Sequence, residues 1–529
     1  MAALALMTAA CSNDDNEIQT PEQPAKAEGI TITAQLAPKT GGATTRAVAN
    51  NGDNKITVTW AQNEKIAILY EVSSTKYVAE ANIDAVDGET GAATISFTVE
   101  AGTPDDTPCT LVYPLSAAKD DHTGVKDAAT LLAAQDGTLN ANLDVRVGAG
   151  TIQTTTPGLT VTTQPAAQFA IFKFTTQDAS STAIDVNSLT VFIDTKKYVI
   201  TPGSATSELY AALPDVSSQT VIFSAAGSDG KNYFFAKDGV TFAASKYYQS
   251  PLTMTQGAHL AALTANYTAQ DGDVLTGTLG ANVKISIAND ATVTLDGVTI
   301  SRGLSSSCKW TGITCLDDAT ITLADGSTNT VKGFYRNYPG IKAGPSGTTL
   351  TIQGTGTLNA SSNKSDCSGA GIGSDATSGG SCGNITILGG TINATGGCDP
   401  GNNNGGPGIG NFGGNSCGNI TISGGTIYAT GGSGSAGIGS SYSTYGSCGT
   451  ITIANTVKKV TATQGSGAAN SIGKGKGSCG TITFGTAQVF DGTAWSSDPM
   501  QAGTYGGLNL AITTTTNTND TWTLTPVAP

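Results

Sequence analysis

From Ile30 onward the chain alternates apolar and polar residues in short runs that are cut by Gly, Asp and Pro. Ile56-Thr-Val-Thr-Trp60, Lys65-Ile-Ala-Ile-Leu-Tyr70 and Ala93-Thr-Ile-Ser-Phe-Thr-Val99 are examples. A period of two places every second side chain on one face, which predicts half-buried strands. A second set begins at Phe169-Ala-Ile-Phe-Lys-Phe174 and continues through Leu189–Ile193, Val221–Phe223 and Tyr233–Phe235. The Thr- and Pro-rich stretch Thr154–Pro165 reads as the boundary between the two sets. One helical stretch is expected, around Val125–Ala134. The pattern predicts an all-β protein that opens with two β-sandwiches, over residues 29–160 and 161–255.

Past residue 255 the pattern becomes a repeat. Ser381-Cys-Gly-Asn-Ile-Thr-Ile-Leu-Gly-Gly-Thr-Ile-Asn-Ala-Thr-Gly-Gly397 returns almost unchanged at Ser416–Gly432, and shorter copies start at Ser447 and Ser478. Gly371-Ile-Gly373, Gly408-Ile-Gly410, Gly437-Ile-Gly439 and Ser471-Ile-Gly473 recur between them. Looser copies of the same strand lie at Ala291–Ile300, Ala319–Leu323 and Thr349–Ile352. Each unit thus offers three short strands with Gly corners, which describes one coil of a parallel β-helix. A β-propeller, with four longer strands per blade, fits less well. The prediction is a β-helix over residues 256–485 of about seven coils, stacked ~4.8 Å apart. Residues 486–529, with Trp495 and Trp522, would cap its last open edge.

Composition narrows the function. The net charge is −14, and most of the acidic excess lies before residue 256. No basic stripe is available to neutralise phosphates, so nucleic acid is excluded as a partner. Gly432-Ser-Gly-Ser-Ala-Gly437 satisfies a dinucleotide-binding spacing, but no helix follows it. Gly473-Lys-Gly-Lys-Gly477 lacks the Ser or Thr of a phosphate loop. The Gly-rich turn Gly434-Ser-Ala-Gly437 carries no Asp for calcium, and no Cys-x-x-Cys spacing or nearby His supports zinc. No cofactor and no metal are expected.

Ten cysteines raise the question of disulfides. Cys382, Cys417, Cys448 and Cys479 occupy one repeat position and should form a ladder. Parallel neighbours come within disulfide reach, but their Cβ atoms point the same way, so a stack of reduced thiols is the expectation there. Cys308 with Cys315, and Cys367 or Cys398 with a loop partner, are the better disulfide candidates.

Parallel β-helices often house polysaccharide lyases and hydrolases, whose chemistry needs convergent carboxylates or a carboxylate beside Lys, Arg or His. The last Glu of this chain is Glu208, the last His is His259, and Asp317-Asp318 is the only adjacent acidic pair in the repeats. Binding without catalysis is therefore expected, with a lyase or hydrolase and a structural spacer as the alternatives. Tyr335, Arg336 and Tyr338, with Tyr428, Tyr442 and Tyr445, are the candidate glycan contacts, because aromatic faces beside polar groups suit sugar rings.

Four resemblances complete the picture. Met1–Ala10, small and apolar before Cys11, resembles a lipoprotein signal peptide that lacks its basic start, so the true start is expected upstream. It implies lipidation at Cys11, a tether over residues 11–28 and an outer-membrane, cell-surface location. The acidic run Asp14, Asp15, Glu17 resembles the surface-export tag of Bacteroidetes lipoproteins. Thr45-Arg46-Ala47-Val48, Trp60 before Glu64-Lys-Ile-Ala67, Leu111-Val-Tyr-Pro114, Tyr210–Pro214 and Val240–Tyr248 together resemble the two domains of Bacteroidetes fimbrillin-like (Mfa-like) proteins. That implies a surface adhesin or a fimbria-associated component with other fimbrial subunits as partners. It also marks Arg46 as a candidate proteolytic processing site, against a solvated linker Arg. The Gly-Ile-Gly and Cys-Gly-Asn-Ile-Thr-Ile framework resembles β-helix domains of Bacteroidetes that bind carbohydrate, which implies a host or microbial polysaccharide as ligand.

Overall fold

A computed structural model describes residues 29–39, 49–50, 56–301, 307–362, 369–375, 380–399, 404–497, 500–514 and 519–528. The signal-like segment 1–10, Cys11, the tether and Arg46 lie outside the described residues. The protein is almost all β, and its chain divides into two compact units.

The first unit holds one seven-stranded antiparallel sheet. Its order is Ile30–Leu36, Ala93–Val99, Thr75–Val86, Lys65–Val72, Thr107–Tyr113, Arg146–Gln153 and Gly158–Ala167. The first strand also packs against the last, so the sheet curls over its own core in the manner of a sandwich. Alternation fills that core with Ile32, Ile66, Ile68, Ile83, Ile95 and Leu111, all fully buried. The stretch read as a boundary, 154–165, is instead mostly strand: Gly158–Ala167 turns back on Arg146–Gln153. Helix is confined to Ala128–Leu131 in the predicted span.

The second unit begins with a sandwich. A three-stranded sheet (Glu208–Leu213, Ala170–Gln177, Tyr247–Thr253) faces the strands Val186–Ile193, Lys196–Ile200, Val216–Gly227 and Asn232–Phe242. Phe174 against Phe223 at 5.2 Å and Phe172 against Phe242 at 4.8 Å join the layers. The sandwich then runs into the repeats without a linker. Thr255–His259 pairs antiparallel with Asn232–Phe242 on one side and parallel with Val274–Thr278 on the other. Gly257 makes this passage feasible: at φ +120°, any Cβ would stand 2.1 Å from the Val274 carbonyl oxygen.

The repeats form a β-solenoid of about six turns, with three parallel faces. Ile385, Ile420, Ile451 and Ile482 stack in register on the first face. Leu358, Ile392, Ile427 and Val460 stack on the second, and Ile341, Ile372, Ile409, Ile438 and Ile472 on the third. All of these are fully buried. Each such side chain contributes roughly 1.5–3 kcal/mol by leaving water, so the columns of inward aliphatic residues hold the solenoid together. Gly373, Gly410, Gly439 and Gly473 end the third-face strands at φ between +105° and +147°. A Cβ on Gly373 would meet the Gly410 oxygen at 1.8 Å, so the coils close at their observed spacing only with glycine there. At the far end, Asp520–Pro526 pairs antiparallel with Lys459–Thr463 and covers an edge that would otherwise stay open. Trp522 packs edge-on against Trp495 there, at 5.3 Å.

Candidate functional site: a polar groove along the solenoid

On the second face, inward Ile and Leu alternate with side chains that point to solvent. Because the register is exact from coil to coil, these outward residues also form columns. Thr330, Asn359, Asn393, Tyr428 and Thr461 make one; Lys332, Ser361, Thr395, Thr430 and Thr463 make the next. Asn393 donates from Nδ2 to Asn359 Oδ1 at 2.8 Å, which orients both amides along the stack.

The corner beyond this face completes a groove of about 540 Å³. Its far side carries Ser362, Cys398, Ser433 and Ser466, with the glycines 396–397, 431–432 and 465 leaving room between them. The Ser466 hydroxyl donates to Ser433 Oγ at 3.3 Å, and Ser433 lies 3.2 Å from Cys398 Sγ. The short hairpin of Cys398–Asp399 with Asn404–Gly405 borders the groove, and Asn519 stands at its C-terminal end. Among the described lining residues Lys332 is the single charged side chain, and none is Asp, Glu or His. The groove therefore offers amides, hydroxyls and one ammonium, repeated across successive coils.

The five tyrosines and one arginine expected to touch sugar do not converge. Tyr428 stands on the grooved face, 39% exposed, in the Asn359–Asn393 column, with the Lys459 ammonium 5.6 Å from its ring. Tyr335, Arg336 and Tyr338 sit on the corner loop of an earlier coil. There Tyr335 lies 5.8 Å from the Lys309 ammonium, and burial together with the Asp375 carboxylate raises the Tyr338 phenol. Tyr442 and Tyr445 belong to the opposite corner, where Tyr442 packs on Phe412 at 5.8 Å and Tyr445 is 88% exposed. Sequence reasoning missed Asn359, Asn393, Ser433 and Ser466. The signal was the variable position of Thr-Leu-Asn-Ala-Ser361 and Thr-Ile-Asn-Ala-Thr395, which faces out while its neighbours face in.

Four acidic residues of the solenoid are engaged in building it. Asp318 accepts the Thr349 amide at 2.6 Å and Asp317 accepts the Asp318 amide at 3.0 Å. Buried Asp273 accepts the Tyr267 hydroxyl at 2.6 Å, and Asp375 pairs with Lys342 at 2.7 Å. The cysteines depart from expectation. Cys308 and Cys315 are buried free thiols rather than a pair; Cys315 takes the inward position of its strand, in register with Ile287, and so faces the core. In the ladder, Cys382 and Cys417 are bridged, with Cα atoms 4.5 Å apart, where reduced thiols were expected. Strand spacing alone brings the two sulfurs into reach despite their parallel Cβ directions. Among the described residues no helix is long and apolar enough to cross a membrane.

The fold and groove define an all-β protein whose solenoid presents a polar groove with one lysine among its described lining residues. No protein-family model matches the chain, and no curated relative does. Among solved structures, it is similar to a fimbrial protein from Bacteroides ovatus (13% identity, TM-score 0.23), over 42% of this chain and 48% of that one. The chain thus spans about half the length of that protein. A fimbrial assembly protein from Parabacteroides distasonis matches 42% of this chain and 90% of its own, at 11% identity and TM-score 0.27. The tip fimbrial protein Mfa3 from Porphyromonas gingivalis matches 42% and 94%, at 8% identity and TM-score 0.22. Such values leave the function to be read from the chain itself.

Proposed function

We propose that the chain is a cell-surface adhesin or fimbria-associated component, lipid-anchored at Cys11, whose solenoid holds a polysaccharide in the second-face groove without cutting it. The groove carries this reading. Its amide and hydroxyl columns repeat along the stack, as the hydroxyls of a linear glycan repeat along the polymer. Tyr428 offers an exposed ring face in the same column, and one lysine adds a cation for an acidic substituent. Glycoside hydrolysis by general acid–base chemistry needs a carboxyl group at the bond, and the described lining residues include no Asp, Glu or His. The motifs around Trp60 and Tyr113-Pro114 support the fimbria-associated assignment and partnership with other subunits.

Affinity electrophoresis of the full chain through gels cast with neutral and uronic-acid polysaccharides tests the reading. Retardation by at least one polymer is expected, with polymer length unchanged afterwards. Each hydrogen bond to a neutral group contributes about 0.5–1.5 kcal/mol. Asn359→Ala with Asn393→Ala should therefore weaken binding roughly fivefold to a hundredfold. Shortening of the polymer would replace binding by catalysis, and retardation by none would remove the glycan.

A further inference from the structure

The cysteine ladder extends past its bridged pair. Ser416–Cys417, Ser447–Cys448 and Ser478–Cys479 form a small parallel sheet of their own, and Cys382 joins it by a bridge to Cys417. Serines face outward along this edge, with Ser416 Oγ 2.8 Å from Ser447 Oγ, while the cysteines face in. Cys448 and Cys479 are in register, 4% and 6% exposed, with sulfurs 2.8 Å apart. Cys417 already has its partner in Cys382. On the ladder, the one sulfur left beside Cys448 is that of Cys479.

We propose that Cys448 and Cys479 are a second oxidation site of the ladder and form a disulfide that ties the coils they occupy. The ladder then consists of two covalent staples, Cys382–Cys417 and Cys448–Cys479, with a non-covalent step between Cys417 and Cys448. In a solenoid each coil is held only by its neighbours, so opening starts at an end and spreads. A staple near the C-terminal end blocks that route beside the terminal cap.

The oxidant is a disulfide, supplied by an exported thiol oxidoreductase or a small-molecule disulfide. The Cys479 thiolate attacks that disulfide, forming a mixed disulfide and expelling one thiolate. The Cys448 thiolate then attacks the Cys479 sulfur, forming the Cys448–Cys479 bond and expelling the second thiolate. The oxidant gains the two electrons that the cysteines lose, and the two protons released by the cysteines end on the two expelled thiolates. In the closed coil the Cys448 thiol is pushed well up, by its contact with Cys479 and then by burial. Exchange therefore runs before the terminal strands close over the pair. The biological setting rests on the surface reading above, whereas the chemistry can be tested without it.

The full chain, purified reduced, is refolded with oxidised glutathione, and its remaining thiols are blocked with N-ethylmaleimide in denaturant. Trypsin then separates Cys479 from every other cysteine, because Lys458, Lys459, Lys474 and Lys476 precede it and no Lys or Arg follows. Mass spectrometry should find the Cys479 peptide joined to the peptide that ends at Lys458, and released by reductant. The joined species should be lost in Cys448→Ser and kept in Cys417→Ser, with circular dichroism confirming that both variants fold. A blocked, unjoined Cys479 in wild-type chain whose other bridge has formed overturns the proposal, as does a joined species that survives Cys448→Ser. Either result leaves glycan retardation, and hence the surface reading, untouched.

Discussion

Lys39 carries the sharpest stability prediction, because three of its neighbours are residues that sequence singled out or left unremarked. Its ammonium is buried, 2.9 Å from Asp144 Oδ2, and lies 3.8 Å from the Tyr113 ring centre and 4.5 Å from that of Trp60. Asp144 is shared with buried Arg146 at 2.8 Å. Removing one member of a buried pair typically costs about 3–5 kcal/mol, since the other charge is stranded. Arg146 still serves Asp144, so Lys39→Ala should fall near the lower end, about 3 kcal/mol. That is roughly a hundredfold in the unfolding equilibrium. Hydrogen exchange on the full chain reads the first unit separately, through the amides of Lys65–Val72 and Thr107–Tyr113. Those amides should exchange roughly a hundredfold faster in Lys39→Ala wherever whole-unit opening controls them. Lys39→Met, which keeps the stem against the two rings, should lose less. The sign with pH is also determined. Desolvation lowers the Lys39 pKa below its ordinary value, ahead of the opposing pull of Asp144. Between the folded and unfolded pKa values the unfolded chain binds more protons, so wild-type stability gains as pH rises through that window. The gain should be absent from Lys39→Met and therefore appear in the wild-type-minus-Met difference. Exchange that is unchanged or slower in Lys39→Ala would refute the cluster as a stabilising element.

Ile427→Ala, in the middle of the second-face column, should cost about 2–5 kcal/mol by opening a cavity between coils; chemical denaturation followed by circular dichroism measures it. Gly410→Ala puts a Cβ 2.0 Å from the Gly439 oxygen, so it should lower the thermal midpoint more than Gly413→Ala, which meets nothing within 4 Å but shares a positive φ. Asp87, Asp105 and Asp491 are held below the usual carboxylate range by backbone amides. Their stabilisation is complete above the unfolded pKa and is lost as pH falls through the folded values, so melting temperature should drop on acidification from about pH 5 to pH 2. Replacing Cys11 by Ser in cells that express the protein with its leader should release it from membranes, with palmitate labelling lost; continued membrane association would remove the anchor.

Framework positions were legible because they repeat. Ile385, Ile420, Ile451 and Ile482 recur at one place in each copy, and a period of two sends them all inward, so the solenoid and its faces follow from alternation alone. The run from sandwich to solenoid was not legible. The sequence divides sandwich from solenoid between residues 255 and 256, yet Thr255–His259 is one strand whose edges pair in opposite senses with two different strands. Local pattern cannot report a partner on each side. The sheet return Gly158–Ala167 was hidden in the same way, because Thr and Pro read as a boundary while the backbone could still pair along an edge.

The groove shows why the site was harder to find than the scaffold that displays it. An inward residue is dictated by its environment and repeats, whereas an outward one is free to vary and looks like noise. Thr330, Asn359, Asn393, Tyr428 and Thr461 share one column with three residue types among them, and only the coil register reveals that they stack. Searching for aromatics, the residues that stand out by type, gathered Tyr335, Tyr442 and Tyr445 from separate corners and found Tyr428 alone on the grooved face. Ligand recognition on a solenoid depends on which outward positions stack. The column is thus the unit to mutate: Asn359 with Asn393 should affect polymer binding together, while Tyr445, despite its exposure, should leave it unchanged.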